Sequence, residues 1–158
     1  MGCDIFFYVQ VKTGRGWKTV DYKKLFGELP LNYRCYSCFV FLADMCNYDC
    51  CTPLFKPKGL PNDLNDDSIK EESYDMISAS YFTLSELLNF DYDQTFENRR
   101  IEKQTGQNIW DGACIAEVGE GKIISYRENM GEGFFDSLKT LQTLGDNDCV
   151  RIVFFFDY

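Results

Sequence analysis

Apolar positions concentrate at the two ends of the chain. The stretch from Asp4 to Lys12, DIFFYVQVK, is rich in Phe, Tyr and Val and alternates only imperfectly. That pattern predicts a strand covered on both faces or nearly so. KTGRG at 12–16 reads as a turn and WKTV at 17–20 as a short return strand, which together predict a hairpin. At the far end VRIVFFFDY, 150–158, predicts the last strand. Termini usually fray, so two such apolar segments are expected to be inner strands, and pairing with each other would tie both down.

Helical spacing appears between them. Over 33–47, Cys35, Phe39, Leu42 and Cys46 recur on one stripe, with Cys38 and Met45 beside it. Residues 48–67 hold Pro53, Pro57, Gly59 and Pro61 and a run of Asn and Asp, the signature of a long irregular loop. SASYFT, 78–83, leads into TLSELLNF, where Thr83 and Glu86 have the spacing of a capping box at a helix start. Residues 91–112 are polar and show no usable period. ACIAEV (113–118) and KIISY (122–126) predict a hairpin across Gly119–Gly121. Phe134, Leu138, Leu141 and Leu144 share a helical face that Gly145 ends. The order predicts an α+β fold in one domain over 1–158: a mainly antiparallel sheet with helices packed on one face.

Composition narrows the partners. The chain has 158 residues, is 45% hydrophobic and carries 14 Phe and 10 Tyr, so a core needs no covalent staples. A formal charge of −9 argues against general binding to double-stranded nucleic acid, which relies on cations against phosphate. An acidic chain can still mimic nucleic acid or hold a small anion in a local basic pocket. No run is long enough to span a membrane, and no secretory signal pattern opens the chain. MGC at the start lacks the Ser or Thr that lipidation at Gly2 wants at position 6, where Phe6 stands. The expected compartment is the cytosol, with the eight cysteines reduced.

Candidate chemistry follows from what is present and absent. Cys35, Cys38, Cys46 and Cys50 have an arrangement that invites zinc, but three of the four fall on one predicted helix, where cysteine packs as a small hydrophobe. There is no histidine, which removes Ser-His-Asp and Cys-His catalysis. Acid–base or Mg²⁺ chemistry would fall to carboxylates such as Asp4, Asp44, Asp75 and Asp157. Lys56 and Lys58 sit on the proline-stiffened loop, and Arg34 and Arg151 sit in apolar surroundings that demand a carboxylate or an anion. Ser78 and Ser80 precede the capped helix start, and helix N-termini favour anions.

Five stretches carry a resemblance: MGCDI (1–5), YRCYSCFVFLAD (33–44), KPKGLPND (56–63), SASYFTLSELL (78–88) and VRIVFFFDY (150–158). In these the chain resembles a family of small phage and prophage proteins that begin Met-Gly-Cys-Asp-Ile-His. It departs from that pattern at Phe6, where the family pattern has His, and at Met76-Ile77, where it has a Gly-His pair. The resemblance implies a phage setting. By analogy with anti-CBASS and anti-Thoeris sponges, it suggests a protein that sequesters a nucleotide immune messenger, such as a cyclic dinucleotide, without cleaving it. On that reading Arg34, Lys56, Lys58 and Arg151 contact phosphate. Tyr8, Tyr36, Tyr81 or Phe82 stack on bases, and Ser78 and Ser80 donate hydrogen bonds. No catalytic residue, metal or cofactor is assigned, and a homo-oligomer is allowed. The rivals are a Mg²⁺-dependent nucleotide hydrolase built on Asp4, Asp44 and Asp75, and an acidic inhibitor that binds a protein by imitating nucleic acid.

Overall fold

The N-terminal hairpin pairs β1 (Asp4–Thr13) with β2 (Gly16–Val20) across Gly14-Arg15. Gly16 closes the turn at φ +101°, a region that side chains disfavour. The computed structural model describes residues 2–31, 35–104 and 110–158. Helix α1 (Tyr22–Phe26) follows, capped by the Asp21 carboxylate and ended by Gly27 at φ +76°. Helix α2 (Tyr36–Ala43) is shorter than the sequence predicts, because Asp44 turns left-handed (φ +58°) and closes it. Its residues from Cys38 to Ala43 are all buried, so it is a central helix and not an amphipathic one.

After the loop come α3 (Asp67–Glu72), β3 (Ile77–Thr83) and α4 (Leu84–Leu88). The capping box forms as spaced: Glu86 N–H donates to Thr83 Oγ1, and Thr83 N–H donates to the Glu86 carboxylate. SASYF, read from sequence as the approach to that helix, is itself a strand. Then come β4 (Thr95–Asn98), β5 (Arg100–Gln104), β6 (Trp110–Ile115) and β7 (Lys122–Ser125). Helices α5 (Tyr126–Met130) and α6 (Glu132–Gln142), a 3-10 turn at Asn147–Cys149 and β8 (Val150–Asp157) complete the chain.

The main sheet has the order β2-β1-β8-β3, antiparallel throughout. The terminal strands are central and adjacent, with Asp4 opposite Asp157 and Val11 opposite Val150. The expected hairpin of 113–118 with 122–126 does not form: β6 pairs with β5, and β7 pairs with β4. The Glu97 carboxylate accepts the N–H groups of Gly119 and Gly121, and Gly121 lies so close to the Asn98 carbonyl that a Cβ would sit 2.6 Å from it. The glycine-bearing turn therefore packs onto β4, and the long-range pair replaces the local one.

The two faces of the sheet are covered differently. Val150, Ile152, Phe154 and Phe156 of β8 join Ile5, Val9 and Phe82 in the larger core with α2, α4 and α6. Val153 and Phe155 point the other way, against Leu64 of the loop and Ile69 of α3, with Leu60, Phe6, Tyr8 and Tyr81 around them. The exposed edge of β3 is shielded by the loop, where Gly59 N–H donates to the Ala79 carbonyl. Among the described residues no helix is long and apolar enough to cross a membrane.

Candidate functional site: a cation and aromatic cluster around Arg151

The smaller face of the sheet carries one polar intrusion. Arg151 opens β8 on the same side as Val153 and Phe155, and it is only 3% exposed. Its Nε donates to Gln10 Oε1 at 2.8 Å and its Nη1 to Asp63 Oδ1 at 2.6 Å. Its second terminal nitrogen, Nη2, is buried and has no hydrogen-bond partner among the described residues. Trp17 of β2 lies against the guanidinium, with Cζ 4.2 Å from the ring centroid, and the indole N–H donates to the other oxygen of Asp63 at 3.0 Å.

Two side-chain N–H groups thus meet at one carboxylate. That carboxylate belongs to a loop residue whose side chain is 64% exposed. The hydrogen bond from Arg151 is the main cause that holds the Asp63 carboxyl below its ordinary range. The neighbouring loop positions are fixed: Pro61 and Leu64 are buried, and Asp66 accepts from Thr19 Oγ1 while capping α3. Gln10, which receives Arg151, is itself bound to Thr19. The loop on either side of Asp63 is therefore held by contacts that do not involve its carboxylate.

A second cation adjoins this cluster across Tyr81. The Lys58 ammonium lies 4.3 Å from the Tyr81 ring centroid, and the Arg151 guanidinium 5.9 Å from it. Lys58 also lies near the rings of Phe82 and Phe55 and pairs with Glu86 at 3.3 Å. Lys12 reaches the Trp17 ring at 5.9 Å. The result is a run of alternating cations and rings, Lys58, Tyr81, Arg151, Trp17 and Lys12, assembled from four separate parts of the chain.

The residues nominated from sequence divide accordingly. Lys58, Tyr81 and Arg151 are brought together. Ser80 is buried and its hydroxyl accepts the Lys58 backbone N–H, so it positions the loop and offers nothing outward. Tyr8 packs on Phe155 and its hydroxyl donates to Glu72; burial and that carboxylate push the phenol upward. Phe82 is fully buried between Phe55 and Phe154, where no base can reach it. Tyr36 sits on the opposite side of the sheet, against Phe39 and under Arg100. Ser78 donates to Met45 Sδ at the other end of β3. Lys56 is exposed on the loop. Arg34 lies outside the described residues.

The carboxylates of the hydrolase reading are not grouped as a metal site among the described residues. Asp4 sits in β1, Asp44 caps α2 and Asp75 lies in the turn before β3. Among the described residues, no three Cys, Asp or Glu side chains are grouped to hold a metal ion. All eight cysteines are free thiols, and burial pushes those of Cys38 and Cys51 upward, the latter to about 12.

Sequence reading missed Trp17, Asp63 and Asp49. The first two have local signals, a lone Trp on a short strand and an Asn-Asp run after a proline, but no signal of their meeting. Asp49 is buried and accepts from Ser37 and Asn129, with Arg100 at 3.8 Å, which ties α2, α5 and β5 together. A scan against protein-family models and searches of curated proteins and of solved structures find no match to this chain.

Proposed function

We propose that this is a non-catalytic binding protein that captures a small phosphate-bearing nucleotide at the Arg151 cluster. One observation carries the reading: the donors of an anion seat, Trp17 Nε1 and the Arg151 fork, already surround a carboxylate that the protein supplies from an exposed loop position. A phosphate oxygen entering there takes the place of Asp63 and leaves the buried guanidinium paired, while the displaced carboxylate turns to solvent. The unsatisfied Nη2 offers a further charged N–H, which a phosphate can use and Asp63 does not. The half-buried ring of Tyr81 lies beside the seat, between Lys58 and Arg151, as the surface against which a base can pack.

The setting comes from the resemblance to phage and prophage proteins. In that setting the protein acts in the cytosol of an infected cell and withholds a nucleotide immune messenger, a cyclic dinucleotide in the simplest case, from its receptor. The absence of histidine from the chain suits capture better than turnover, because histidine is the usual proton carrier near neutral pH.

The test is calorimetry against a panel of cyclic di- and trinucleotides and ADP-ribose derivatives, followed by chromatography of the ligand. The reading expects stoichiometric binding of at least one compound, recovered unchanged. Binding of none would remove it. Conversion of excess ligand by sub-stoichiometric protein would replace it with the hydrolase.

A further inference from the structure

At the opposite end of β8 the surface has another character. Met45, Cys46, Asn47, Tyr48, Ile77, Ile115 and Tyr158 line a shallow cavity of about 330 Å³. Four of these are large apolar side chains left in solvent: Tyr48 is 39% exposed, Ile77 43%, Ile115 48% and Tyr158 68%. They come from four separate segments, so the patch is a product of the fold and not of one greasy stretch.

Two further features coincide with this patch. The first is backbone strain. Asp44, Cys46 and Ser78 all have positive φ, at 58°, 54° and 52°. Ser78 lies where the pairing of β3 with β8 slips between Ile77 and Ser80, and its hydroxyl donates to Met45 Sδ, which ties the bulge to the groove wall. Asp44 takes this conformation to close α2, whereas Cys46 and Ser78 hold it outside any helix cap, and such residues concentrate at binding clamps. The second is charge. The exposed charged residues that flank the lining positions along the chain, Asp44, Asp75, Glu117 and Asp157, are all acidic. Of the described cations in the adjoining segment, Arg100, opposite Ile115 in the sheet, pairs with Asp49, and Arg99 donates through Nε to the Ala116 carbonyl.

We infer that this groove docks a protein segment that presents one apolar side chain flanked by Lys and Arg. The apolar lining takes the anchor, and the acidic rim selects the flanks and rejects acidic ones. The site is separate from the Arg151 seat and does not depend on it.

The probes are fluorescein-labelled peptides: one with a single Phe between Lys and Arg residues, its counterpart with Glu flanks, and the basic peptide with Ser in place of Phe. Fluorescence anisotropy at low salt should show saturable binding of the first peptide. The Ser peptide should bind about tenfold more weakly, the Glu-flanked peptide should not bind, and added salt should weaken the first complex as screening predicts. Ile115→Lys and Tyr48→Ser should each reduce affinity about tenfold while thermal unfolding stays cooperative. If Ile115→Lys fails to fold, Tyr48→Ser carries the test. No binding of the basic Phe peptide would overturn the inference, as would equal binding of the Glu-flanked peptide or indifference to both substitutions. A dimer in sedimentation equilibrium that Ile115→Lys dissolves would also overturn it, by giving the groove to a second copy of the chain.

Discussion

Alternate residues of β8 meet two different environments. Val150, Ile152, Phe154 and Phe156 enter a dry core in which aromatic rings pack on one another, Phe154 with Phe82 and Phe156 with Phe39. Arg151, Val153 and Phe155 face a thinner layer made by a loop and one short helix, and there a charged network reaches into the structure. The helical face can supply stability because the β8 side chains that enter it are all apolar and fully buried. The loop face can supply recognition because its one buried cation is held by a carboxylate that solvent can reach.

Removing β8 breaks both faces at once and should have the largest effect. A chain ending at Asp148 loses the strand that joins β1 to β3. Several fully buried side chains at roughly 1.5–3 kcal/mol each exceed the typical stability of a domain, about 5–15 kcal/mol. The expected result is no cooperative unfolding transition in circular dichroism. A folded, soluble truncation would show that the strand is dispensable.

Phe154→Ala separates the faces. It should cost about 3–5 kcal/mol in denaturant unfolding, the range for deleting a large buried aromatic. Arg151→Met, on the other face, should cost about 1–3 kcal/mol, mainly by leaving the buried Gln10 carbonyl without its donor. Equal losses for the two variants would contradict the division of labour between the faces.

Acid sharpens the comparison further. Asp63 has a carboxyl depressed below its ordinary range by Arg151, so its contribution is complete above the unfolded carboxyl's pKa and is lost as pH falls through the folded value. The β8 side chains of the other face, Val150, Ile152, Phe154 and Phe156, carry no titratable group. Trp17 fluorescence, read in a Trp110→Phe background, should therefore change in acid before far-ultraviolet dichroism does, and Asp63→Ala should abolish that early change. Coincident transitions in the parent would argue that the seat opens only with global unfolding.

Sequence made the helical face legible and left the other largely hidden. The apolar runs at 4–12 and 150–158 and the Thr83–Glu86 spacing translate directly into β1, β8 and α4, because local pattern and tertiary role agree. SASYF was obscured because its small and hydroxyl residues give a weak strand signal, and its partner β8 lies about 70 positions away. The pairings of β4 with β7 and β5 with β6 were obscured because the nearer hairpin satisfies the same pattern. Arg151, Lys58 and Tyr81 were visible as residues needing partners. Trp17 and Asp63, which complete the cluster, meet Arg151 only through the fold.

The central claim is that Asp63 occupies a seat meant for an outside anion, and calorimetric titration of the parent and Asp63→Ala with the same cyclic dinucleotide tests it most directly. Without its own carboxylate in the seat, Asp63→Ala should bind about tenfold more tightly, the equivalent of roughly 1.4 kcal/mol, with the ligand recovered intact. Unchanged or weaker binding by Asp63→Ala would mean that Asp63 only pins the loop, and would contradict the account.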